Sequence, residues 1–427
     1  MRASPPRALA VLVLVLLLSV PGRSYSVLTH EQFVDLLWES DIEPMLRARF
    51  PHASKEDLRE AHAYAYGGCV VQDMGYYPFG NKYFSNLVHY VRSGDFVLAL
   101  LRDASDLNEY AFALGALAHY ASDISGHPTI NRVEAIEFPK LRKKFGDRVT
   151  YEDDPKSHIR TEFGFDMVQV ARNRYTSDRY HDFIGFEVSQ SLLDRAFQET
   201  YGLTLSHVFF DENLAIGTYR HAVAVMVPEM TRVALLSRRD EIVKETPNFD
   251  RKKFLYTLSR TSYEKEWGTV YRKPGLGSRI LAFFLKLVPK VGPFKAVDFK
   301  IPTRQGEDLY IQSVNRTVDD YRKLLRDTRA GTLSLPNLDF DTGHQTQLGE
   351  YKLADSSYAR LLDDLSKQSF VAVSPPLRAN ILRFYSSGTP PQLKGKSEAE
   401  KWKKLQEELG DLQRLQDANP LQVKSKD

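Results

Sequence analysis

Three side chains able to bind a metal recur at intervals of four residues in the segment Gly115–Pro128: His119, Asp123 and His127. On a helix that spacing stacks all three on one face, with about one turn between neighbours. Two imidazoles with a carboxylate between them form a borderline ligand set suited to zinc. Alone, the stripe also reads as a polar helix face of hydrogen-bonded histidines. A second pair at the same spacing, His158 and Glu162, favours metal. Upstream stand His30 in Leu28-Thr-His-Glu, Asp73 after a turn expected at Gly67 and Gly68, and His89 in the helical stretch Asn86–Val91. Eight candidate ligands, all His or carboxylate, therefore fall in the first half of the chain. Their density predicts two to three zinc ions.

The elements that must carry these residues are helices. Phe33, Leu36 and Leu37 sit at helical spacing, as do Leu58, His62 and Tyr66, then Leu87, Val88 and Val91. The segments Tyr110–His127, Phe183–Thr200 and Ile216–Leu236 repeat the pattern, and alternating strand patterns are nearly absent. The expected fold class is mainly α. After about residue 246 turn formers collect at Lys273–Gly277, Val291–Phe294 and Leu335–Gly343. Residues 25–245 carry 24 basic and 33 acidic side chains, residues 246–427 carry 31 and 22. These shifts divide the chain into 25–245 as the catalytic part, 246–396 as a basic accessory region, and 397–427 as an exposed charged helix with a polar tail.

Residues 1–24 read as an address rather than a fold element. Arg2 and Arg7 precede the apolar run Ala8–Val20, with small residues at Gly22 and Ser24, the layout of a secretory signal cut before Tyr25. The mature chain is expected outside the cytoplasm, secreted or periplasmic, and soluble or peripheral to a membrane. Over 427 residues, 42% hydrophobic and 26% charged, the composition is that of a globular protein and excludes collagen-like, coiled-coil and wholly disordered chains. Beyond the signal, bases and acids balance, so bulk charge gives nucleic acid no handle. The single Cys69 excludes an intramolecular disulfide and reads as a small buried apolar residue.

The ordered set Thr29-His30, Asp73, His89, His119-x3-Asp123-x3-His127 and His158-x3-Glu162 resembles the zinc-dependent phospholipase C family, whose helical fold is shared with fungal-type single-strand nucleases. Within it, the even four-and-four spacing is most similar to the catalytic domain of glycosylphosphatidylinositol-specific phospholipase D. The resemblance covers about residues 25–240. It implies three zinc sites: Asp73, His89, His119 and Asp123 at the first; His127, His158 and Glu162 at the second; His30, a bridging Asp123 and the free amine of Tyr25 at the third. Two positions depart from the family pattern, Tyr25 where a Trp begins the mature enzymes and Gln72 where a Pro precedes the aspartate.

The chemistry then expected is hydrolysis of a phospholipid or glycolipid phosphodiester. Zinc neutralises phosphoryl oxygens, lowers the pKa of water and stabilises the leaving oxygen. Asp73 is the candidate general base, and a ligand role alone stays open beside it. Alternatives are a zinc nuclease or nucleotidase on the same fold, disfavoured by the acidic catalytic half, and a non-catalytic envelope protein stabilised by zinc. His52, His181, His207 and His344 are read as bland, and His62 and His221 as hydrogen-bonded core residues. Tyr64, Tyr66, Tyr76, Tyr77 and Phe79 are core, or a wall for a headgroup. The run Glu152–Asp154 is read as a solvated loop. Residues 267–297 hold six bases, no acid and an apolar stripe through Ile280, Phe284 and Leu287, which fits either a lipid surface or the catalytic domain.

Overall fold

Apolar residues repeating every three to four positions leave the backbone one economical solution, and it is taken throughout. A computed structural model describes residues 27–171, 186–223, 299–388 and 395–417. In chain order the helices are α1 (Val27–Leu37), α2 (Glu43–Arg49), α3 (Lys55–Val70), α4 (Lys82–Tyr90), α5 (Ser93–Asp103), α6 (Leu107–Glu137), α7 (Pro139–Phe145) and α8 (Pro155–Ala171). They continue with α9 (Gln190–Tyr201), α10 (Leu205–Val208), α11 (Glu212–His221), α12 (Arg304–Ala330), α13 (Lys352–Lys367), α14 (Pro375–Ser386) and α15 (Lys396–Asp417). A π-helical turn, Trp38–Ile42, joins α1 to α2, and a 3₁₀ turn, Val71–Tyr76, follows α3. Among the described residues there is no strand, only two isolated bridges. The expected signal 1–24, the amine of Tyr25, His181 and the stripe at 267–297 lie outside the described residues.

Helix α6 is the axis. Its 31 residues span about 46 Å at 1.5 Å per residue, and it is buried on nearly every side. Ala, Gly and Leu fill the positions where neighbours close in, above all α3 and α12. Gly68 and Gly115 mark the crossing with α3: a Cβ on Gly68 would lie 1.9 Å from the Phe112 carbonyl oxygen, one on Gly115 2.0 Å from that of Ala65. The glycine pair 67–68, read from sequence as a turn before Asp73, is therefore helical. Its glycines permit close approach of two backbones rather than a reversal.

Side-chain caps mark where several helices begin. Ser54 and Asp57 form a reciprocal capping box at α3, while Asn81, Asp106, Asp211, Thr303 and Ser374 cap α4, α6, α11, α12 and α14.

The described part of the accessory region shares the core of the first half. Tyr321, Leu325, Leu335, Phe340, Tyr358 and Leu361 are buried in one cluster with Leu114, Leu117, Phe84 and Leu87. Tyr321 donates to the Leu114 carbonyl (2.9 Å), and Tyr310 stacks on Phe165 of α8. Helix α15, expected as exposed and charged, also packs: Leu409 and Leu412 are buried, Trp402 and Leu405 partly so. That 3-4-3 stripe is hidden in sequence by the lysines and glutamates around it. His62 meets expectation, stacked on Trp38 and 2.9 Å from Asp35, but His221 is exposed at the end of α11. Phe183–Thr200 begins its described helix only at Gln190, because 186–189 run extended into it.

Candidate metal centre

Five segments converge on one buried cluster. His30 comes from the first turn of α1, Asp73 from the 3₁₀ turn, and His89 from the end of α4. His119, Asp123 and His127 line one face of α6, and His158 and Glu162 one face of α8. All eight are between 0 and 3% exposed. They form three groups whose ligand atoms lie within 4.8 Å of one another: Asp73, His89 and His119; His127, His158 and Glu162; His30, His119 and Asp123. All eight expected ligands are thus brought together, with His119 shared between two groups.

Asp123 stands at the junction. Its carboxylate lies 3.1 Å from His119 Nε2, 3.5 Å from His89, 3.6 Å from His30 and 3.9 Å from His127. Asp73 Oδ1 is 3.4 Å from His89 Nε2, and Glu162 Oε1 is 2.9 Å from His158 Nε2. In four of the five histidines the other ring nitrogen is hydrogen-bonded behind the site, and in His127 it stands against a carboxylate. His89 Nδ1 donates to the Ser85 carbonyl (2.8 Å) and His119 Nδ1 to that of Cys69 (2.9 Å). Ser122 gives its proton to the His119 carbonyl and so accepts from His30 Nδ1 (2.9 Å). His158 Nδ1 meets Glu134 Oε2 at 3.0 Å, and His127 Nδ1 lies 2.9 Å from Asp341 Oδ1. With these contacts behind the rings, each Nε2 is turned inward, where its lone pair serves a metal once the ring is neutral.

The electrostatics are those of a site built for a cation. Burial pushes the Glu162 carboxyl well above the usual range. Burial works against Asp123 too, yet the surrounding His119 and His127 outweigh it and hold its carboxyl well below that range. Burial lowers His89 and His127, but facing carboxylates prevail: Asp123 and Asp73 at the first, Asp123 and Asp341 at the second, each raised to about 9. Burial and the neighbouring His119 drive His30 well down. Without hydrogen-bond partners stand Asp73 Oδ1, His127 Nε2, His158 Nε2 and Glu162 Oε1, all buried. Buried polar atoms are costly when unsatisfied. A divalent cation satisfies them together, and the His/carboxylate donor set fits zinc.

Around the cluster, Tyr76 lies 6.2 Å from His89 and Tyr151 presents its edge to His158. Tyr66, Tyr76 and Tyr77 are buried and Phe79 is exposed, so the aromatic group before α4 is mostly core. Cys69 is buried, as expected, and acts here through its carbonyl.

Sequence reasoning missed the groups behind the ligands. Glu134 stands seven residues after His127, two turns along α6, and continuing the stripe finds it. Asp341 carries no such signal, because Asp339-Phe-Asp-Thr-Gly343 reads only as a turn.

Residues 29–211 match the family described as zinc dependent phospholipase C, a stretch that holds all eight clustered residues and excludes Asp341. Neither comparison with curated proteins nor comparison with solved structures finds a match.

Proposed function

We propose, from the match of residues 29–211 to the zinc dependent phospholipase C family, that this chain is an exported zinc-dependent hydrolase of phospholipid or glycosylphosphatidylinositol phosphodiesters. The observation that carries the reading is the convergence of eight buried His and carboxylate side chains into three contiguous groups around Asp123. Asp73, His89, His119 and Asp123 would hold the first zinc, His127, His158 and Glu162 the second, and His30 with Asp123 the third. When bound, zinc supplies charge neutralisation for an anionic phosphodiester and makes water a competent nucleophile at neutral pH.

The remaining work falls to the chain. Asp73 enters from a 3₁₀ turn rather than from the face of a long helix, and its Oδ1 is unengaged by any hydrogen bond. In this reading Asp73 takes the proton of the attacking water. Water oxygen bonds to phosphorus, the ester oxygen leaves, and the proton held by Asp73 passes to that leaving oxygen. No covalent enzyme intermediate is involved. The Nδ1 contacts of the five histidines fix their rings, so the donor atoms are set before substrate arrives.

The test is elemental analysis of the purified mature chain, never exposed to chelator, with a phosphodiesterase panel of phosphatidylcholine, a glycosylphosphatidylinositol-anchored protein and single-stranded DNA. Two to three zinc ions and cleavage of a lipid substrate are expected. Less than one zinc, or cleavage of DNA alone, overturns the reading. Asp73→Asn in the same assays is expected to retain some zinc and lose about 10²–10⁴-fold in turnover. Sequencing the N-terminus of the same exported material checks the start at Tyr25.

A further inference from the structure

The C-terminal region reaches the centre as a strap over residues 335–345, fastened along its length. Tyr120 donates to the Pro336 carbonyl (2.8 Å), Ser93 to that of Leu338 (2.6 Å) and Asn131 to that of Asp341 (2.7 Å). The Phe340 amide donates to the His89 carbonyl at 3.2 Å. The Phe340 ring, fully buried, meets His89, His119 and Tyr120 with centroids 5.2, 6.2 and 5.4 Å away. A turn closes the strap, with the Gly343 amide donating to the Asp339 carbonyl and Gly343 at φ +73°.

The side chain of Asp341 is wholly buried and divided between two tasks. One oxygen lies 2.9 Å from His127 Nδ1; the other accepts from Tyr90 (2.8 Å) and from Tyr351. Two phenol protons fix the carboxylate, and the carboxylate fixes the imidazole. His127 and His158 thus face carboxylates, Asp341 and Glu134, whereas His89 and His119 lean on neutral backbone carbonyls. A carboxylate behind Nδ1 holds the ring orientation and makes Nε2 a stronger donor.

We infer that Asp341 is a positioning residue for zinc at His127, His158 and Glu162, so that this site is assembled jointly by the family domain and by a segment lying outside it. The inference rests on the zinc reading above. Glu134 arises from α6 itself, within the family match, but Asp341 arrives from 179 residues beyond Glu162. A chain with the eight ligands and no strap holds His127 by nothing at Nδ1.

The full-length chain with Asp341→Ala tests this. Zinc is titrated against graded chelators, and the cobalt(II) absorption of the substituted protein is recorded beside it. One ion per chain is expected to weaken about 10–100-fold, with the other ions unchanged and the cobalt spectrum altered. Asp341→Asn keeps a neutral acceptor and is expected to recover part of the loss. Should Asp341→Ala not fold, Asp341→Asn and the double variant Tyr90→Phe with Tyr351→Phe carry the test, each expected to weaken one ion several-fold. Wild-type affinity at every site in the folded variants overturns the inference. A wild-type chain that holds zinc beside indifferent variants overturns this inference alone; a wild-type chain that holds none overturns the zinc reading and takes the inference with it.

Discussion

His89 and His127 stand apart from the other ligands because carboxylates facing them more than offset their burial, raising both to about 9. Zinc needs the bare Nε2 lone pair. Below pH 9 the zinc-free centre holds a proton that binding must displace, so affinity falls as pH falls. One unit of pH acting on one displaced proton changes affinity about tenfold, or about 1.4 kcal/mol. Zinc titrations at pH 6, 7 and 8 are expected to show about tenfold weaker binding per unit of acidification at the sites containing these residues. Affinity flat across that range would remove the protonated histidines from the account. Five of the eight candidate ligands were legible in sequence because helical spacing of four is itself a statement about space, and His30, Asp73 and His89 joined them through the ordered family pattern. Asp341 was not legible, since nothing local ties a turn at 339–343 to a histidine on α6.

At the scale of elements, the crossing of α3 with α6 sets the brace of His119. The Cys69 carbonyl that receives the His119 Nδ1 proton lies one residue after Gly68, and Gly115 faces it one turn before His119. Gly115→Ala brings two opposing effects. Alanine favours a helix interior by about 1 kcal/mol. Overpacking costs about 1–3 kcal/mol, and a Cβ placed 2.0 Å from a backbone oxygen belongs at the upper end. We expect net destabilisation of about 2 kcal/mol, read by chemical denaturation, with reduced zinc retention because the helices separate at the brace. A variant more stable than the parent would show that the crossing yields at no cost. Among the described residues, helix existence was readable from apolar spacing in the first half, whereas α12, α13 and α14 were not read from the sequence. What glycines do inside a helix was not readable, because close approach depends on the partner, and a pair of glycines in sequence signals a turn just as well.

Over the whole molecule, the charge asymmetry between the halves has a structural counterpart. Arg322 lies 3.3 Å from Asp41, Lys352 3.1 Å from Glu152 and Lys300 3.8 Å from Glu137, each a base of the second half beside an acid of the first. Such partly exposed pairs contribute little to stability. The shared core contributes far more: burying a side chain such as Leu361 or Phe340 is worth about 1.5–3 kcal/mol. A chain ending at residue 245 would expose the faces of α4 and α6 that α12, α13 and the strap cover. It is expected to aggregate or to lack a cooperative melting transition, judged by soluble yield and near-ultraviolet circular dichroism. A soluble 25–245 fragment that melts cooperatively would bear out the boundary read from composition. That boundary rests on the change of charge and turn content there. A change of surface composition carries no information on which apolar faces meet.

The strap also imposes an order in time. A ribosome makes about 5–20 residues per second, so Asp341 follows Glu162 by roughly ten to forty seconds. For that interval the nascent chain holds every ligand of the second group and lacks the carboxylate that orients His127. If Asp341 positions His127 as inferred, early capture of metal by loosely held imidazoles would be weak and reversible, and the firm grip would come with the last third of the polypeptide. On the proposed reading of an exported zinc enzyme, zinc would be acquired from the compartment of arrival, not from the pool where translation began.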